Sequence, residues 1–213
     1  MKTKLCLLLA IVLLQTNLKS QSFRFGTVAA DVGVGGGFYG ISGYSPVNKS
    51  NVSGFGLVGT LPRINAEFGV ARFLGVGVSL RKGTYGKGGG GGKIRGTDFM
   101  VRGNFHLANK KDAFDLVIGA GYGFSNFKGP QSSTQYLNAK GGILNIHVTP
   151  HIYFGKYVGM FMGFSYNKHL FNKVDIKDGT TYYSEADGAT WKMGGVCFEF
   201  GVSGHFHIFK KKE

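Results

Sequence analysis

The sequence predicts an all-β fold, an eight-stranded antiparallel up-and-down transmembrane β-barrel. Three observations predict it: an export leader at the amino terminus, eight segments in which large apolar residues alternate with small or polar ones, and connections that are long and short in strict alternation.

The leader comes first. Lys2 and Lys4 precede the apolar run Leu5 to Leu14, polar Gln15, Thr16 and Asn17 follow, and Ser20 supplies a small residue at a cleavage point. Ten apolar residues are too few for a spanning helix, which needs roughly 20. Residues 1–20 are therefore expected to be a signal peptide and residues 21–213 the barrel domain. Cys6 stands at the start of the apolar run rather than after it, so lipid anchoring is not expected. Loss of the leader removes Lys2, Lys4 and Lys19 and no acidic residue, taking the net charge from +14 to +11. Cys197 is then the one remaining cysteine, which excludes a disulfide framework. The 37 glycines follow no G-X-Y period, which excludes collagen. After residue 20 no apolar run is long enough for a membrane helix, so any crossing must be made by strands.

The first strand is predicted over about Thr27–Phe38, with Val28, Ala30, Val32, Val34 and Phe38 on one face and Asp31, Gly33 and Gly35 on the other. The second, about Leu61–Ala71, sets Ile64, Ala66, Phe68 and Val70 against Asn65, Glu67 and Gly69. The third, about Leu74–Tyr85, sets Val76, Val78 and Leu80 against Gly77, Ser79 and Arg81. In the fourth, Asp98–Leu107, Phe99, Val101, Phe105 and Leu107 oppose Asp98, Met100, Arg102, Asn104 and His106. Leu116 to Phe124 marks the fifth, over Gly119, Gly121 and Gly123. The sixth alternates Leu144, Ile146, Val148, Ile152 and Phe154 with Asn145, His147, Thr149, His151 and Tyr153; Pro150 weakens it because proline cannot donate to a ladder. The seventh reads Val158, Met160, Met162, Phe164 and Tyr166, and the eighth Val196, Phe198, Phe200, Val202, Phe206 and Ile208 against Cys197, Glu199, Ser203, His205 and His207.

Between them, Tyr39–Gly54, Lys82–Gly96, Ser125–Gly142 and Asn167–Thr190 read as long loops, while Arg72-Phe73, Ala108–Ala113 and Gly155–Tyr157 read as short turns. With leader, periodicity, loop asymmetry and an aromatic-rich last strand, residues 23–209 resemble the small eight-stranded outer-membrane β-barrels of Gram-negative bacteria, the porin-family or outer-membrane β-barrel domain proteins. The resemblance implies the outer membrane as location, short periplasmic turns and long extracellular loops. It implies a monomer, with outer-membrane lipids including lipopolysaccharide and the outer-membrane assembly machinery as partners. One departure is the end of the chain: Phe209 is followed by Lys210, Lys211, Lys212 and Glu213, where the family ends on an aromatic residue.

Composition assigns the faces. The face opposite the bulky residues is rich in Gly, Ser, Asn and His rather than in the Lys, Glu and Thr that water-facing positions carry, so it is expected to line a crowded lumen, and the bulky face to meet lipid. Phe38, Phe55, Tyr85, Phe99, Tyr122, Phe124, Phe154, Tyr157 and Tyr166, near strand ends, are expected in the interfacial girdles.

Asp31, Glu67, Arg81, Asp98, Arg102, His106, Glu199 and His205 are the expected lumen polar network. Its simpler role is to stabilise a filled barrel; a sharper one is a gate whose salt bridges exchange partners. His147 and His151, with His205 and His207, raise a metal site, but no Cys, Asp or Glu stands at ligand spacing and none is expected. Glu199, Ser203 and His205 lie on one strand, too far apart for a hydrogen-bonded relay, so no catalytic residue and no cofactor is assigned. "GKGGGGGKIRG", Gly86–Gly96, fails the GxxxxGK[ST] phosphate-loop pattern and reads as an exposed loop, whose Lys82, Lys87, Lys93 and Arg95 are placed to touch lipopolysaccharide phosphates. Scattered basic residues without a known module exclude nucleic acid. The functional expectation is a non-enzymatic barrel with a structural, adhesive or weak pore-forming role. The alternatives are an outer-membrane enzyme modifying lipid A or phospholipid, and a soluble periplasmic barrel binding an apolar ligand.

Overall fold

Alternating residues of β-forming type pair into one closed antiparallel sheet in the computed structural model, which describes residues 23, 25–87, 93–108, 113–131, 134–154 and 157–208. The strands are β1 (Thr27–Ser45), β2 (Ser50–Gly69), β3 (Leu74–Lys87), β4 (Lys93–Ala108), β5 (Phe114–Pro130), β6 (Gln135–Tyr153), β7 (Val158–Asp178), the short β8 (Thr181–Tyr183) and β9 (Thr190–His207), with a 3-10 turn at Glu185–Asp187. Each strand from β1 to β7 pairs with the next, and β9 pairs with both β7 and β1, so eight strands form a ring without a free edge. β8 pairs antiparallel with the upper end of β7.

The bulky face looks outward. Val32, Ile64, Val78, Phe99, Val101, Ile146, Met160, Phe164, Phe200 and Val202 are all exposed, while Asn65, Ser79, Asp98, Asn145, His147 and Glu199 are buried. A continuous apolar surface around a closed barrel is a bilayer-facing surface. Lumen glycines fit this crowding: a Cβ on Gly33 would sit 2.6 Å from the ring of Phe161. Pro150 is tolerated near the lower end of β6, where the ladder to β7 passes from the Val148–Phe164 pair to His151–Phe161 without using Thr149 or Pro150.

The predicted long loops need correction. Most of Tyr39–Gly54, Lys82–Gly96, Ser125–Gly142 and Asn167–Thr190 is strand: β1, β2, β6 and β7 run 19, 20, 19 and 21 residues, well beyond the roughly 9–11 needed to cross a bilayer. Their upper halves stand outside the membrane, where the outward face turns polar and the inward face apolar. Alternation persists there with its sense reversed. Tyr39, Val58, Tyr85, Phe127, Leu137, Val174, Ile176, Trp191 and Met193 point inward and form one apolar cluster in the upper barrel. Tyr85 thus belongs to that core and not to the girdle; Phe38, Phe55, Phe99, Tyr122, Phe124, Phe154, Tyr157 and Tyr166 are exposed on the outer surface. The expected leader, residues 88–92 of the glycine-rich loop, most of the Ala108–Ala113 turn and the end from Phe209 to Glu213 lie outside the described residues.

Candidate functional site in the barrel lumen

Below the apolar cluster the lumen is charged. Arg63, on β2, pairs with Glu199 of β9. Arg81, on β3, donates from Nε and Nη2 to Asp98 Oδ2 of β4 at 3.1 and 2.7 Å, and its Nη1 lies 3.9 Å from Glu199. Asp98 also accepts from Ser125 Oγ of β5 at 2.6 Å and faces His169 Nε2 of β7 at 3.3 Å. One network therefore ties six strands together through buried, mutually paired charges.

A second network fills the periplasmic end. His106 stands between Asp115 and Glu67, with Nδ1–Oδ2 and Nε2–Oε1 distances of 2.6 and 2.7 Å, an arrangement satisfied by a ring that donates from both nitrogens. Asn104 Nδ2 donates to Glu67 at 2.6 Å, and His147 bridges Asn104 and Asn145 at 3.0 and 2.9 Å. Asn145 donates to Asn167 Oδ1 at 2.8 Å, and Asn167 Nδ2 reaches the Tyr39 hydroxyl at 3.3 Å, where the apolar cluster begins. Asp31 accepts from Asn65 at 3.3 Å and lies 3.4 Å from His151 Nε2. Phe23 closes this end, its ring stacked on His106 with centroids 3.5 Å apart.

Arg102 is buried among these groups yet makes no ion pair within 4.0 Å among the described residues, and its Nε has no partner. It borders two cavities of about 20 and 10 Å³, the larger also lined by Asp31, Glu67 and Ser203. The larger has room for a single water. His205 packs edge-on to Tyr153, with centroids 4.5 Å apart, near the lower rim.

The chemistry open to this lumen is narrow. Ser125, Asp98 and His169 meet, but the carboxylate sits in the middle, so Ser125 donates to Asp98 and not to an imidazole base. Glu199 is committed to Arg63. Among the described residues no three His, Cys, Asp or Glu side chains are grouped to hold a metal ion. Lys82, Lys93 and Arg95 lie on the outer wall of β3 and β4, all exposed, and the Lys87 side chain is outside the described residues.

Sequence reasoning missed Arg63 and His169. Arg63 shares the parity of Asn65 and Glu67, the signal that would have found it, but Leu61-Pro62 blurs the start of the segment. His169 continues the Ser165–Asn167 face into what read as loop.

Closed ring, lipid-facing belt and polar lumen define a class, the transmembrane barrel of the outer-membrane type. No family model and no curated protein sequence matches the chain. Among solved structures it is similar to the outer membrane protein OprG from Pseudomonas aeruginosa, at 13% identity over 88% of this chain and 99% of that one, TM-score 0.57. It is similar to AlkL in lipid bilayers, at 11% identity over 92% and 97%, TM-score 0.56. The outer membrane protease OmpT from Escherichia coli matches at 11% identity over 89% and 100%, TM-score 0.52. The likeness is one of fold: small outer-membrane barrels, a scaffold shared by a protease and by proteins of other kinds.

Proposed function

We propose that the chain is a non-enzymatic outer-membrane barrel with a structural or adhesive role and a lumen closed to ions. It acts as a monomer, inserted by the outer-membrane assembly machinery, with membrane lipids and lipopolysaccharide as its partners. The observation that carries this reading is the doubly filled interior. Charged networks span the lower lumen, aromatic side chains pack the upper one, and the cavity at the top of the lumen, beside Tyr39, Tyr85 and Trp191, measures about 70 Å³. Against an enzyme stands the inverted Ser125–Asp98–His169 order, which supplies no activated nucleophile. Conductance of the folded protein in planar bilayers tests the reading: a silent membrane is expected, and discrete openings would establish a pore instead.

A further inference from the structure

The outer wall just above the apolar belt carries an arrangement that a bare barrel would not favour. Following the ladder across β3 to β7, outward-facing Leu80, Phe99, Phe124, Gly142 and Leu170 form one row. Two residues further up, three on β7, lies a second row, Lys82, Thr97, Asn126, Lys140 and Lys173, and two further still a third, Thr84, Arg95, Lys128, Asn138 and Asp175. Lys140 stands directly opposite Lys173, and Arg95 directly opposite Lys128. Like charges so placed are roughly 5 Å apart at Cβ and repel. None of Lys82, Arg95, Lys128, Lys140 and Lys173 has an ion pair among the described residues. The acidic residue of these rows, Asp175, already accepts from Asn138 Nδ2 at 3.2 Å. Above them a cleft of about 530 Å³ opens beside β5, β6, β7 and β8, lined by Lys128, Tyr136, Asn138, Asp175, Lys177 and Tyr182, with the Lys177 ammonium 5.3 Å from the Tyr182 ring. From the belt upward the wall therefore presents apolar side chains, then unpaired cations, then a cleft of aromatic and hydrogen-bonding groups in which Lys128 and Lys177 outnumber the one carboxylate, Asp175.

We propose that this wall of β4–β7 is a docking site for lipopolysaccharide, with acyl chains along the Phe99–Phe124 row, lipid A phosphates on Lys140, Lys173, Lys128 and Arg95, and phosphorylated core sugars in the cleft under Tyr182. The proposal rests on the outer-membrane reading, keeps Arg95 of the four basic residues named from the sequence, and adds Lys128, Lys140 and Lys173 of the barrel wall. The order of surfaces matches the order of the ligand's parts, and the like-charge pairs gain the counter-charge that the chain itself does not provide.

Affinity of the folded full chain in neutral detergent is measured for bisphosphorylated lipid A, the same lipid dephosphorylated, and phosphatidylglycerol. The double variant Lys140→Ala/Lys173→Ala is expected to lose roughly thirtyfold in affinity for bisphosphorylated lipid A, with no change toward the dephosphorylated form. Without ligand that variant unfolds at a higher temperature than the parent, because repulsion is removed. Tyr182→Ala lowers affinity for core-bearing lipopolysaccharide about fivefold and leaves lipid A unaffected. Unchanged lipid A affinity in the double variant would overturn the proposal, as would phosphatidylglycerol bound as tightly as lipid A or a double variant less stable when unliganded. Failure to insert into phosphatidylcholine vesicles is a different result, which overturns the barrel reading and this site with it.

Discussion

Glu199 is the residue on which the lower lumen turns, since it pairs with Arg63 and lies within 3.9 Å of Arg81. Glu199→Ala leaves a buried guanidinium without its partner, and is expected to cost about 3–5 kcal/mol. Replacing both partners, Arg63→Met with Glu199→Met, is expected to recover most of that loss, because two apolar side chains of similar volume leave no charge stranded. Urea unfolding from lipid vesicles reads both, as midpoints at unchanged slope. At the periplasmic end, Phe23→Ala removes the ring stacked on His106 and is expected to admit water to the Glu67–His106–Asp115 cluster, seen as faster hydrogen exchange at the backbone amides of His106 and its neighbours. Lumen charges were legible where alternation was clean, as at Asp98 and Arg102. They were not where proline or a misjudged strand end hid the parity, as at Arg63 and His169. Which carboxylate each arginine takes was not legible at all, since pairing across the lumen depends on the closing register of β9 against β1 and β7.

At the scale of the strand, the instructive element is β7. Its ladder with β6 passes from Gly141–Phe171 to Lys140–Lys173, so Asn172 is an extra residue, a bulge. Below it Asn167 and His169 face inward; above it the inward parity changes and Val174 and Ile176 enter the apolar cluster. Deleting Asn172 is expected to turn Val174 and Ile176 outward into water and to loosen the last hairpin, where Glu185 accepts from the Val174 amide at 3.3 Å. Protease cleavage within 178–190 should then be fast in the deletion and slow in the parent. The same position explains why the extracellular halves of the strands read as loops. Period-2 patterning identifies a face, but solvent changes from lipid to water partway up each strand, so the apolar side moves from outside to inside. A reading that follows large apolar residues in one phase stops at that level. The membrane-spanning halves, which keep one phase throughout, were legible from the sequence to within a few residues.

The whole molecule inverts the usual arrangement of a water-soluble barrel over its lower half and restores it over its upper half. That design places a belt of lipid-facing side chains around a charged lumen and sets an aromatic plug above it. The five methionines supply a direct probe of the belt, because Met160 and Met162 are 54% and 46% exposed on the outer wall of β7, while Met100 and Met193 are 3% and 4% exposed inside. The most direct measurement is a set of magnetisation-transfer contacts between detergent acyl chains and methyl-labelled methionines in the folded protein. The account predicts strong acyl-chain contacts to Met160 and Met162 and none to Met100 or Met193. Contacts to Met100 and Met193, with Met160 and Met162 shielded, would contradict it.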